Sequence, residues 1–400
     1  MKKMIWLIAL AVSVVLMSCA TDPTIPVGPQ QQEGDFTWGR SRDGNSAVIT
    51  GHVGNSANIR IPSEIQGLPV TIIAPRAFSA NRLTGVNIPD SVLYIGRGAF
   101  QTNRLLSVAI PDSVTYIGRD AFFNNQLSSI IIPDSVTDIG DRAFQNNRLA
   151  SIAIGNGVTN IGNHAFRNNN LVSVTIGSHV VSIGDHAFRR NNLVSVIIPN
   201  SVIRIGNYAF QNNQLASITI GSSVSSIGAR AFHGNQLTSV TIPDNVIYVG
   251  MGAFLANYPL ESVTIIISSE ESEWAGGAIF SGDRLTSITL TGGQTAWSAT
   301  APKGMISGNG RNISRIILES DGGNITISGS SRAWRGFLHA NRANVLDGDV
   351  TFEPEDMGEF TFSGGRWNFQ PRDSMPTLPE PEPPADLMPH PYPPLTAEVE

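Results

Sequence analysis

The sequence predicts a β-rich repeat solenoid with 22-residue coils, a parallel sheet on one face and β caps at both ends. Two observations carry that prediction. The dipeptide Ala-Phe recurs with its Phe at 78, 100, 122, 144, 166, 188, 210, 232 and 254, each 22 residues after the last. The composition agrees: 14% of the 400 residues are charged, 41% are hydrophobic and 39 are Gly, whereas roughly 25% of an average soluble protein is charged. Such a chain has ample core, which excludes global disorder, and draws its surface polarity from Asn, Ser, Thr, Gln and Gly. One cysteine leaves no disulfide framework and no Cys-based zinc site. A net charge of −6 gives no electrostatic case for nucleic acid as a partner.

The elements follow in chain order. Lys2 and Lys3 precede an apolar run from Met4 to Met17, the layout of a secretory signal peptide over residues 1–18. The run is shorter than the ~20 apolar residues a membrane-spanning helix needs. Cys19, the only cysteine, follows Leu16-Met17-Ser18. Leu, an apolar residue, a small residue and Cys resemble the lipobox of bacterial lipoproteins; the plainer alternative is a cleaved signal with an incidental Cys. The resemblance implies that Cys19 is lipidated and becomes the first mature residue. Buried methylenes contribute about 0.8 kcal/mol each, so three acyl chains anchor stably where one does not. By the sorting rule of enteric lipoproteins, the resemblance with Ala20, not Asp, after the Cys implies the outer membrane. Residues 19–34 read as a flexible tether, and no cofactor beyond the lipid is expected.

Residues 35–76 read as an N-terminal cap, with 47–51 and 59–62 forming a hairpin. Residues 77–265 are the regular repeats. With each Phe from 78 to 232 as position 0, Asn stands at +3, Leu at +5, Val or Ile at +8, Ile at +10, Val at +14, Ile or Val at +17 and Gly at +18, and Asn257 keeps the +3 position after Phe254. Internal periods of 20–29 residues with regular Leu signal leucine-rich repeats. The end of the Leu–Val–Ile stretch alternates with period two, so it predicts a strand, stacked on its neighbours about 4.8 Å apart. Pro at +11, replaced by Gly155, Gly177 and Gly221, stops that ladder. Phe100, Phe122, Phe144, Phe166, Phe188, Phe210 and Phe232 fill the coil interior. Asn at +3 is expected to hydrogen-bond backbone in neighbouring coils, and Gly at +18 suits either φ > 0 or close backbone approach. Residues 266–370 read as degenerate repeats and a C-terminal cap, with Val350–Phe352 and Phe360–Phe362 as capping strands. Ten to twelve coils give a rod about 50–60 Å long. Ten of the 24 residues from Pro371 to Pro394 are Pro, so residues 371–400 predict an extended, disordered tail.

The unit Ala-Phe-x-x-Asn-x-Leu-x-Ser-Val-x-Ile-Pro-Asp-Ser-Val-x-x-Ile-Gly, with Ile110 to Gly118 as a close match, resembles the BspA-like leucine-rich repeat of bacterial surface proteins. The resemblance covers about residues 44–290. This chain has 22 residues per unit where the family often has 23, and Asn where many members carry Cys. The resemblance implies a curved solenoid displayed by lipoproteins or secreted proteins, often adhesins or coaggregation factors. The partners it implies include extracellular-matrix and plasma proteins, other cells and glycans.

Catalytic signatures are missing from the sequence: no G-x-S-x-G, no H-E-x-x-H, no Walker loop and no Cys nucleophile after Cys19. Ser at +7, from Ser107 to Ser239, forms a hydroxyl column without a base. Small residues at +7 and +9 leave that face shallow, with Ile131 and Ile197 as exceptions. His164 and His186 share one column a coil apart, with Arg167, Arg189 and Arg190 beside them. That cluster predicts a basic ligand patch for acidic glycans or an acidic partner, with ordinary solvated side chains as the plain alternative. The histidines, with Asp185 and His179 near in sequence, make a weak metal set, and no metal site is expected there. The acidic stretch from Asp347 to Glu359 lacks the spacing of known calcium loops. The expectation is a non-enzymatic, lipid-anchored envelope protein, surface-exposed on the outer membrane, acting as an adhesin or protein- or glycan-binding scaffold. A periplasmic scaffold for envelope components is the alternative.

Overall fold

The computed structural model describes residues 27–267 continuously and, from 273 to 371, short separate segments that are nearly all strand. The signal peptide, Cys19, residues 20–26 and 372–400 lie outside the described residues, as does most of the acidic stretch 347–359.

The fold is the expected parallel β-solenoid of about ten coils. Its axis is a column of ten Phe rings, from Phe78 to Phe280, all fully buried. Neighbouring rings from Phe78 to Phe254 lie 5.1–5.4 Å apart and within 11° of parallel; Phe280 continues the stack at 5.3 Å. Around that column, Ala at −1, Leu at +5, Ile at +10, Val at +14 and Ile or Val at +17 are buried in every regular coil. The polar partner of this core is Asn at +3. Asn169 Nδ2 donates to the carbonyl of Phe144 in the preceding coil (2.9 Å) and of Phe166 in its own (3.0 Å). Its Oδ1 accepts the N–H of Leu149 at 3.1 Å. The same three bonds recur at Asn103 and at Asn257, the two ends of the ladder. One buried amide thus satisfies three backbone groups of a turn that packs against coils on either side.

The expected strand at +7 to +10 is present. It pairs in parallel in separate short runs, for example Ile130–Ile132 with Ser151–Ile154, which pairs in turn with Ser173–Thr175. A second strip of two-residue strands at +16 and +17 was not anticipated. It runs unbroken from Tyr94–Ile95 to Tyr248–Val249, each residue paired with the one 22 positions on, as Ile95 with Ile117, and continues to Glu273–Trp274 at an interval of 25. Gly at +18 ends each of these strands by close approach: a Cβ on Gly140 would clash with the Arg119 backbone nitrogen of the preceding coil. The left-handed residues lie elsewhere, at +2 and +20.

The N-terminal cap differs from expectation in two respects. Ala47–His52 pairs antiparallel with Phe36–Arg40 and parallel with Leu68–Ile73, whereas Asn58–Arg60 pairs in parallel with Gly85–Asn87; there is no hairpin between 47–51 and 59–62. Residues 27–33, placed in the tether by the sequence, form a strand antiparallel to Phe36–Arg40. Phe36 meets Phe78 edge-on at 6.3 Å and His52 lies 6.2 Å from it, closing the end of the Phe column. At the other end the interval between paired residues lengthens from 22 (Ile205 to Ile227) to 23 (Val240 to Val263), 25 (Val263 to Ile288) and 28 (Ile288 to Ile316). Antiparallel strands then terminate the stack: Gly358–Ser363 on Arg315–Ser320, and Val350–Phe352 on Ile325–Ser328.

Candidate functional site

Two surfaces of the solenoid are distinct in chemistry. The first is the strip at +6 to +9, which holds no charged residue from Thr84 to Thr241. Its Ser column at +7 is exposed from Ser107 to Ser239. Ile131 and Ile197 at +9 are 74% and 59% exposed, and Leu106, Val172 and Val194 at +6 are also exposed. A hydroxyl becomes a nucleophile only beside a base, and these columns contain no His, Asp or Glu. The strip therefore offers shallow apolar and hydroxyl contacts, repeated at the coil spacing.

The second surface is the rim formed by columns +20 and +1 on either side of each Phe. Read down six coils, column +20 is Asp120, Arg142, His164, His186, Tyr208 and Arg230. These residues hold φ between 54° and 59°, and Arg76, Gly98 and Gly252 hold φ 60°, 60° and 70° in the same column. An L side chain in that region costs roughly 1–2 kcal/mol. His164 and His186 stack at 4.5 Å and 11°, and His186 stacks on Tyr208 at 4.6 Å and 5°. Arg189 and Arg230 each place a guanidinium 5.8 Å from the Tyr208 ring centroid, within reach of a cation–π attraction.

The five residues of the sequence-predicted patch come together here. Arg167 Nη1 lies 3.3 Å from His164 Nδ1, and Arg189 Nη1 lies 3.5 Å from His186 Nδ1. Arg190, at +2, is exposed and holds φ 57°. Burial lowers the pKa of His164, with Arg167 and Arg142 adding to the effect against Asp141. Burial, then His164, Arg189 and Arg167, push His186 down to about 4 against Asp185. Both imidazoles are thus neutral at neutral pH, and the positive charge of the patch belongs to its arginines. Burial lowers the Arg167 and Arg189 guanidinium pKa values, and neighbouring arginines lower them further. The Nε atoms of Arg167 and Arg189 are buried and have no hydrogen-bond partner.

Sequence reasoning missed Arg142, Tyr208 and Arg230; reading column +20 beyond two coils would have found them. The rim is closed at one end by Asp120, which pairs with Arg142 at 2.8 Å and with Arg119 at 3.4 Å. His179 is not part of it: its Nδ1 contacts the Asn156 carbonyl at 2.8 Å, in column +13. Among the described residues no group of three or more His, Cys, Asp or Glu side chains converges on a metal position. The described residues also contain no helix long and apolar enough to cross a membrane.

Comparison with known proteins places this geometry. The family model for the BspA type leucine rich repeat region matches residues 71–194 and 181–302, in six copies and over more than half of the chain. Among solved structures, the chain is similar to a leucine-rich repeat protein from Bacteroides ovatus, at 22% identity over 72% of this chain and 78% of that one, with a TM-score of 0.56. It is also similar to a leucine rich cell surface protein from Faecalibacterium prausnitzii, at 21% identity over 77% and 97% of the two chains, with a TM-score of 0.43. The pneumococcal vaccine antigen PcpA matches at 18% identity over 74% and 89%, with a TM-score of 0.39. A comparison with curated proteins finds no significant match. The chain belongs to the BspA-type leucine-rich-repeat family, and it is a repeat-scaffold protein.

Proposed function

We propose that this BspA-type solenoid is a non-enzymatic scaffold of the bacterial cell envelope, lipid-anchored through Cys19 on the outer membrane and displayed at the surface, where it binds other proteins as an adhesin. The observation that carries this reading is the exposed, uncharged strip at +6 to +9. Leu106, Ile131, Val172, Val194 and Ile197 are exposed on this face among serines, so it offers apolar and hydroxyl contacts to a protein surface without a charge to desolvate. Repetition at the coil spacing makes the contact polyvalent: individually weak contacts add by avidity when several coils engage together. The partner class is a broad protein surface, with matrix proteins or the surface of another cell as candidates. The lipid supplies the membrane contact, and no cofactor takes part.

Antibody labelling of intact cells beside permeabilised cells tests the display. Labelling of intact cells is the expected result. Labelling only after permeabilisation would overturn the adhesin and favour a periplasmic scaffold that binds envelope components.

A further inference from the structure

We infer that the rim formed by columns +20 and +1 binds a linear anionic polysaccharide lying along the solenoid axis, with Arg167, Arg189 and Arg230 as its anion contacts and His164, His186 and Tyr208 as the stacked column between them. The inference rests on the scaffold reading only in requiring that the solenoid meet external ligand; it assigns a different face and a different chemistry from the strip.

The rim carries unspent charge. Among the described residues, no carboxylate forms an ion pair with Arg167, Arg189, Arg190 or Arg230, whereas Arg142, Arg119 and Arg204 each have an aspartate. Arg167 and Arg189 stand one coil apart in column +1, their Nε atoms buried without a partner and their guanidinium groups without a carboxylate. Asp141 and Asp185 are near the histidines, but each Oδ1 already accepts the backbone N–H of the next coil, at 2.7 and 2.8 Å. Arginine suits sulfate and carboxylate because its planar fork offers paired donors.

The spacing disfavours an extended peptide. The stacked rings repeat at 4.5–4.6 Å along the axis, one polar rim group per coil. An extended peptide advances ~3.3 Å per residue, so its side chains fall out of step with the coils.

The test uses the full chain in detergent, with dextran sulfate, polygalacturonate, uncharged dextran and poly-glutamate as probes. Arg167→Gln with Arg189→Gln is compatible with the fold, because Gln145 and Gln211 occupy the same column. Arg82→Gln with Arg104→Gln removes the same charge from column +4, where Gln126 and Gln214 stand naturally. The expected result is binding of a polyanionic sugar but not of dextran. The first pair should weaken it by about tenfold or more, as loss of two charge-assisted contacts implies, and the second pair by less than about twofold. Preference for dextran sulfate assigns sulfate esters and preference for polygalacturonate assigns uronates; either sustains the site. Equal losses from the two pairs, tighter binding of poly-glutamate, or no binding of either sugar would overturn it. Intact-cell labelling does not involve this rim, so failure here leaves the scaffold reading standing.

Discussion

The interior columns and the rim columns of this solenoid obey opposite rules. At 0 and +3 every regular coil has the same residue, Phe and Asn, and each makes the same contacts with its neighbours. At +20 the residue changes with almost every coil, from Gly98 through Asp120, Arg142, His164, His186, Tyr208 and Arg230 to Gly252. A coil cannot bury its faces alone and is stable only through its neighbours, so an interior position is constrained by the coils on both sides. A rim position is constrained by one backbone conformation and otherwise free to differ. Uniform columns hold the stack together; variable columns give one stretch of it a distinct surface.

Four substitutions or conditions separate the interior columns from the rim. Phe166→Ala, in the middle of the ring column, should have the largest effect, a loss of about 3–5 kcal/mol read as a lower urea midpoint. Asn169→Ala leaves the Leu149 N–H and the Phe144 and Phe166 carbonyls without their side-chain partner. A loss of about 2–3 kcal/mol is expected, and Asn169→Asp should not restore it, because a carboxylate cannot donate to the two carbonyls. Gly162→Ala would bring a Cβ to 2.5 Å from the Asp141 nitrogen, and the backbone shift should cost about 1–3 kcal/mol in the same urea assay. The rim should respond least. Because the folded-state pKa of His186 lies near 4, below its ordinary value near 6.5, its contribution to stability is complete above pH 6.5 and is lost as pH falls toward 4. Thermal melts between pH 7 and pH 4.5 should show that decline, and His186→Gln should make it shallower.

Legibility in the sequence follows the same division. The Phe column, the Asn ladder and the buried Leu and Ile were readable because repetition at 22 residues leaves no other phase. The second strip at +16 and +17 was not readable. Its strands are two residues long, and +16 runs through Tyr94, Asp138 and Arg204, so it shows no alternation. The left-handed backbone at +20 was hidden because six of its residues are neither Gly nor Asn, the usual marks of φ > 0. Residues 27–33, Val-Gly-Pro-Gln-Gln-Gln-Glu, read as tether because Gly, Pro and Gln carry no strand pattern; pairing with Phe36–Arg40 overrides that propensity. The cluster of His164, Arg167, His186, Arg189 and Arg190 was readable as a patch, yet its neutral histidines and its extension to Tyr208 and Arg230 depend on burial and stacking between coils.

The most direct test of this division is a paired measurement on the full chain: urea midpoint and dextran sulfate affinity for Asn169→Ala and for Arg167→Gln with Arg189→Gln. Asn169→Ala should lower the midpoint while the protein still folded in buffer binds normally. The arginine pair should keep the midpoint within about 0.5 kcal/mol of the parent and lose affinity. An arginine pair as destabilised as Asn169→Ala would contradict the account, because the rim would then be part of what holds the coils together.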